Sequence, residues 1–311
     1  MTRTTDPDRI PEWQREFVQR HTLDSAFLPM AQTWFTPLAH SLADLQQRAN
    51  RPMLVALNGC QGSGKTTTAD FLCASLAAEH SLQTVCLSLD DFYLTRAERE
   101  TLATSVHPLL KTRGVPGTHD MALLHQTLER LLDAEPGAVV AIPRFDKSVD
   151  DRHPQCDWGS VTTPVQLVIL EGWCLGALPQ SPDVLSLPLN ELERDEDPGG
   201  QWRDYSNDIL RREFQPLYAL VDHWAMLFAP SLDCVFAWRR EQERKLAATL
   251  SPERAAMLMD DAALRRFIQH FERFTRQCLD TLPNNVNYLF RLNEHRQITS
   301  YGHNHQASVV P

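Results

Sequence analysis

Residues 53–67 read MLVALNGCQGSGKTT, and this stretch decides how the rest of the chain is organised. Met53 to Leu57 is a compact apolar run of strand length that ends in a glycine-rich turn. From residue 65 onward, Phe71, Leu72, Leu76 and Ala77 recur at helical spacing as far as residue 79. Between strand and helix, Gly59, Cys60, Gln61, Gly62, Ser63, Gly64, Lys65 and Thr66 satisfy GxxxxGK[ST] at every specified position. The chemistry is local. Glycines let successive backbone N–H groups converge on a β-phosphate, and the helix that follows offers its positive end. Lys65 can reach the β/γ oxygens, and the Thr66 hydroxyl can ligate magnesium. Residues 59 to 67, with Thr67 closing the run, are therefore the expected phosphate cradle. Cys60 could be a thiol activated by the helix end; a tolerated small side chain is the preferred reading.

Outward from this stretch, buried strands are expected at Thr84–Leu89, Ala138–Ile142 and Val165–Leu170, with a helix over 120–133. Either Trp224–Phe228 or Cys234–Trp238 supplies a further strand, and Val286–Leu292 the last. Short apolar strands separated by helices indicate an α/β fold with a mainly parallel central sheet covered on both faces, a three-layer α/β/α arrangement. Residues 1–50 carry Trp13, Phe17, Phe27, Leu28 and Trp34 at mixed helical spacing and read as a helical extension. Residues 51–300 form the phosphate-loop domain, and 301–311, with His303 and His305, are expected to be a flexible tail. The acidic run ELERDEDPGG at 191–200 reads as an exposed, solvated loop, and 205–222 and 239–282 as helices.

The 311 residues carry a formal net charge of -10, which argues against a broad basic surface for nucleic acid or anionic lipid. No apolar stretch approaches membrane length, and the first twenty residues lack a secretory core, so a cytoplasmic protein is expected. Seven cysteines without CxxC pairs suggest neither a disulfide framework nor zinc-ligand spacing; Cys73, Cys86, Cys174 and Cys234 read as small core residues. Oligomeric state stays open at this level.

A phosphate loop does not separate kinases from GTPases or motor ATPases, so the carboxylates decide. Asp90 and Asp91 close the second strand in LSLDDFYL, and the carboxyl ends of parallel strands border the ligand crevice. Asp90 is the candidate base for an attacking hydroxyl, with a possible share in magnesium through water, while Phe92 and Tyr93 wall the site. Asp91 is read either as a second site acid or as a helix N-cap. Glu171 follows the apolar strand LVIL and precedes Gly172, a position suited to holding magnesium with Thr66. No NKxD-type guanine-reading motif is present.

Taken together, GCQGSGKTT, DDFYLT, RGVPGTHD, PRFDKS followed by DR, and LEGWCLG fall in order across residues 54–177. This set resembles the D-glycerate 3-kinase family, within the phosphoribulokinase and uridine kinase group, and the similarity continues more loosely through Trp238-Arg239, Gln242-Glu243 and the last strand. The resemblance implies a kinase that uses ATP and Mg2+ to phosphorylate a small-molecule hydroxy acid, glycerate to 3-phosphoglycerate. It also implies Asp90 as base and places RGVPGTHD and PRFDKS on the acceptor side. A carboxylate substrate asks for cationic donors, which Arg113, His119, Arg144 and Lys147 provide, with Arg144 ranked above Arg113. Asp146 is a candidate for a substrate hydroxyl or for pairing with Arg144, and Asp120 for starting a helix. The segment VDDRHP after PRFDKS is shorter than in plant and fungal members, though Asp151 and Arg152 match. Arg239, Arg240, Arg244 and Lys245 lie where relatives carry a lid; Arg239 is the candidate to offset charge on the γ-phosphoryl, against a salt-laced surface shared with Glu241 and Glu243. A kinase for a nucleoside or pantothenate-like acceptor, and an ATP-binding regulatory protein with slow turnover, are the competing readings.

Overall fold

The computed structural model describes residues 10–247, 259–307 and 309. Helices α1 (Glu12–Arg20) and α2 (Phe27–Ala49) form the amino-terminal extension. Strand β1 (Met53–Gly59) runs through the phosphate loop into α3 (Lys65–His80) and on to β2 (Thr84–Ser88). Helix α4 (Arg96–Ser105) starts at a capping box of Thr95 and Glu98, and α5 (Met121–Asp133) at Asp120, whose carboxylate accepts from Leu123 N at 2.9 Å. Four short strands follow, β3 (Val139–Ile142), β4 (Phe145–Asp146), β5 (Asp151–Arg152) and β6 (Gly159–Thr162), before the long β7 (Leu167–Gly172). Then come α6 (Pro182–Ser186), α7 (Glu191–Glu196) and α8 (Gln201–Ile209), which passes through a π-helical turn into α9 (Gln215–Tyr218). Strand β8 (His223–Phe228), helices α10 (Leu232–Ala247) and α11 (Asp261–Thr281), and strands β9 (Tyr288–Leu292) and β10 (Ile298–His303) complete the chain.

Every residue of β1 and of β7 is buried, and strands without a solvent face belong in the middle of a covered sheet. The observed order is β10-β9-β8-β1-β7-β2, parallel throughout except for β10 against β9. Alternation sorts the side chains. Leu54, Ala56, Val168 and Leu170 join Leu124, Phe214 and Phe274 on one face, while Val55, Leu57, Leu167 and Ile169 join Phe35, Phe71 and Trp238 on the other. The expected three-layer α/β/α fold is what these two cores build. Among the described residues, no helix is long and apolar enough to cross a membrane.

Three local expectations are corrected, and one choice between two alternatives is decided. The run at Ala138–Ile142 does form a strand, but β3 pairs antiparallel with β6 in a separate two-stranded sheet and exposes Val139 by 58%. Of the two options for the strand after residue 222, Trp224–Phe228 lies in β8, and Cys234–Trp238 belongs to α10. The acidic run at 191–200 is not a solvated loop. It folds as α7 with Glu193 and Asp197 fully buried, because Arg273 Nε and Nη2 meet the Glu193 carboxylate at 2.7 and 2.6 Å and Arg203 Nε meets Asp197 at 3.2 Å. Finally, Tyr301–His303 are strand, not loose tail; His303 stacks on Tyr288 of β9 with ring centroids 4.7 Å apart.

Candidate active site

The phosphate loop owes its shape to two left-handed glycines, Gly62 at φ 78° and Gly64 at φ 90°. At Gly62 the constraint is double, since a Cβ there would come within 2.8 Å of the Trp238 Cβ on α10. Lys65 and Thr66 open α3, so both side chains leave the first helical turn beside the loop. Burial pushes the Cys60 thiol up to about 12, in keeping with a small core side chain and against an activated thiol.

Glu171 is the penultimate residue of β7, in register with Leu57 of β1 on one side and Ser88 of β2 on the other. It is 2% exposed. The Thr66 hydroxyl donates to its Oε1 at 2.8 Å, Lys65 Nζ stands 3.8 Å from Oε2, and that Oε2 has no hydrogen-bond partner. Burial works against the Lys65 charge, but Glu171 and Asp90 outweigh it and hold the ammonium above its ordinary range. Asn58 fixes the chain just beyond Glu171 by donating to Trp173 O at 3.2 Å and Leu175 O at 2.7 Å.

Asp90 leaves a 3-10 turn that follows β2. Its Oδ2 accepts from Lys147 Nζ at 2.6 Å and its Oδ1 from the Tyr93 hydroxyl at 2.9 Å. Burial favours the neutral acid, yet Lys147 and Lys65 outweigh it, helped by hydrogen bonds from Lys147 and Tyr93, and hold this carboxyl well below the usual range. Asp91 is no N-cap. Its oxygens accept from Arg144 Nη1 at 2.8 Å and Phe145 N at 3.0 Å, tying the β4–β5 hairpin to the strand tip.

Two adjoining cavities of about 540 and 290 Å³ share Lys65, Thr66, Asp90 and Lys147. Glu171, Asp91 and Arg144 line the larger, while Tyr93, Arg113 and Arg239 line the smaller. The phosphate loop, both acids and the three candidate cations thus meet in one cleft. Arg239 reaches it from α10, with its guanidinium 5.7 Å above the Phe267 ring; its neighbour Arg240 faces Asp261 at 3.8 Å.

Two predicted acceptor residues fall elsewhere. His119 is buried behind Tyr93, its ring stacked on the phenol at 4.6 Å, with neither nitrogen hydrogen-bonded. Burial lowers its pKa to about 4, so it is a neutral ring and not a cationic donor. Asp146 turns away from the cleft to accept from Ser148 N at 2.8 Å and Ser148 Oγ at 2.6 Å, and Arg144 pairs with Asp91 instead. Residues that sequence reasoning missed include Asp150, which ion-pairs with Arg113 and Arg99, and Trp173 and Phe271, which wall the smaller cavity. The aromatic i,i+4 pair Phe267 and Phe271 on a polar helix was the available signal.

No family model matches the chain. An uncharacterized kinase of Schizosaccharomyces pombe, mug58, is 31% identical over 248 residues, which cover 76% of this chain and 84% of the relative. The structure of D-glycerate 3-kinase from Cryptococcus neoformans superposes with a TM-score of 0.71 at 26% identity, covering 88% of this chain and 99% of the other. The chain belongs to the glycerate 3-kinase-like family of P-loop kinases. The family also includes the chloroplastic D-glycerate 3-kinase of Arabidopsis thaliana, 30% identical over 200 residues; the match covers 62% of this kinase but only 41% of the plant enzyme. Membership in a kinase family accounts for a cleft in which a phosphate loop faces carboxylates at two neighbouring strand tips.

Proposed function

We propose that this kinase transfers the γ-phosphoryl group of ATP, with Mg2+, to a hydroxyl of a small hydroxy acid, D-glycerate giving 3-phosphoglycerate. The observation that carries this reading is Asp90, an ionised carboxylate that shares one cleft with Lys65 on the phosphate side and Lys147, Arg144 and Arg113 on the other. The names of the Arabidopsis and Cryptococcus relatives support the choice of glycerate.

The residues fit magnesium. Glu171 Oε2 is a buried oxygen without a hydrogen bond, and the Thr66 hydroxyl gives its proton to Oε1, which leaves its lone pairs for a hard cation. Thr66 and Glu171 would hold the ion, with Asp90 reached through water; when bound, it would neutralise charge on the phosphate oxygens. Lys65 binds the β/γ oxygens from the loop. Asp90 orients the acceptor hydroxyl, with Tyr93 fixing one of its oxygens. A carboxylate this acidic is a weak base. In a loose phosphoryl-transfer transition state the hydroxyl proton leaves late, so alignment matters more than basicity. Lys147 must then release Asp90 Oδ2 to admit the hydroxyl, and the substrate carboxylate is its natural new partner, alongside Arg144 or Arg113. Arg239 offsets charge from the α10 side.

The test pairs Asp90→Asn with a coupled ADP-release assay across glycerate, nucleosides, pantothenate and sugar phosphates. Glycerate should drive ADP release in the parent, and Asp90→Asn should lose about a hundredfold or more in kcat while still binding ATP. Activity retained within about tenfold, worth about 1.4 kcal/mol of barrier, removes Asp90 from this role, and ADP release indifferent to glycerate removes the acceptor.

A further inference from the structure

Far from the kinase cleft, α2 of the extension lies along α3, and their facing side chains bring together two imidazoles and a carboxylate. His40 comes from α2; Glu79 and His80 come from the last turn of α3. The ligand-capable atoms of these three residues all lie within 4.8 Å of one another. His40 Nε2 is 3.8 Å from Glu79 Oε2, which also faces Ser75 Oγ at 3.3 Å, and the His40 and His80 rings meet edge to face at 4.8 Å. A second observation singles out His80, whose Nε2 is buried and has no hydrogen-bond partner. A buried nitrogen left unpaired is unfavourable, and a metal bond would satisfy it.

We propose that His40, Glu79 and His80 form a site for a borderline-soft divalent cation, zinc foremost, that fastens the extension to the phosphate-loop helix. Two nitrogens and one oxygen suit zinc, with a fourth position left for water. Magnesium prefers an all-oxygen set and so goes to Glu171 and Thr66 instead. The site occupies one end of α3 and the phosphate loop the other, about 24 Å apart for a helix of this length. Zinc therefore acts on the stability of the α2–α3 pair and not on the transfer step.

The experiment is thermal unfolding of the full chain, free of affinity tag and chelator, in excess Mg2+ with and without zinc. Zinc at about 100 times its dissociation constant should raise the Tm by roughly 4 °C. His40→Ala should abolish the rise. His305→Ala should keep it, which separates this site from the His303 and His305 pair at the other end of the chain. Should His40→Ala fail to fold, Glu79→Gln takes its place and should lose the rise equally. No rise in the parent, or a rise that survives removal of His40 or Glu79 ligation, overturns the assignment.

Discussion

The phosphate loop and the β4–β5 hairpin face each other across Asp90, but they are held by different means. On the nucleotide side, Lys65 in the first turn of α3 is only 12% exposed, Glu171 is buried at the tip of the central strand β7, and the loop is shaped by backbone conformation. On the hairpin side, which the proposed function gives to the acceptor, Arg144 and Lys147 are 51% and 60% exposed, and their anchors are single ion pairs to Asp91 and Asp90. Exposed pairs of this kind contribute about 0–1 kcal/mol, so an arriving anion can take them over at little cost. The contrast suggests a division of labour, in which a preorganised half receives the nucleotide and an adaptable half closes on the acceptor.

Glu171→Gln should break that contrast hardest. With the buried acid gone, kcat should fall about a thousandfold, about 4 kcal/mol, and the Mg2+ requirement should rise, as seen in initial rates titrated with the metal. A milder probe sharpens the backing of the acceptor half. His119 is neutral when folded, with its pKa lowered by burial from 6.5 to about 4, so the unfolded chain takes up a proton first as pH falls. Stability should therefore drop from pH 6.5 toward pH 4 and level off below, by roughly 3 kcal/mol from this ring. His223 and His270 are shifted in the same direction. His119→Phe should flatten the slope in part, measured by urea unfolding at several pH values; an unchanged slope would show that this ring is not the buried neutral group described. The smallest effect is expected at Lys147→Ala, where KM for the acceptor rises about tenfold, about 1.4 kcal/mol, with KM for ATP unchanged. If ATP binding weakens as well, the two halves are not separable.

The same contrast explains what could be read from sequence. The phosphate loop is contiguous, and Asp90 and Glu171 stand at the ends of short apolar runs that read as strands, β2 at the edge of the sheet and β7 inside it, so local pattern sufficed to single them out. What failed depended on partners distant in sequence. A run such as ELERDED looks the same whether water or an arginine 80 residues away balances it, and only the fold brings Arg273 onto Glu193. His119 sits in a polar motif that suggests a cation, but its charge state is set by Tyr93 and the layers packed around it. The apolar run announced a strand at 138–142; which sheet it joins is a matter of topology that local pattern does not encode.

Strand β10 carries a practical lesson for anyone redesigning this chain. Five of its six residues are open to solvent, yet it satisfies the outer hydrogen-bonding edge of β9, four of whose five residues are buried. Cutting at residue 300, the boundary that a hydropathy plot invites, would leave an apolar ribbon with unpaired amides, the kind of border along which chains stick to one another. The polar last stretch is thus better regarded as a selvedge that keeps the fabric from fraying into its neighbours.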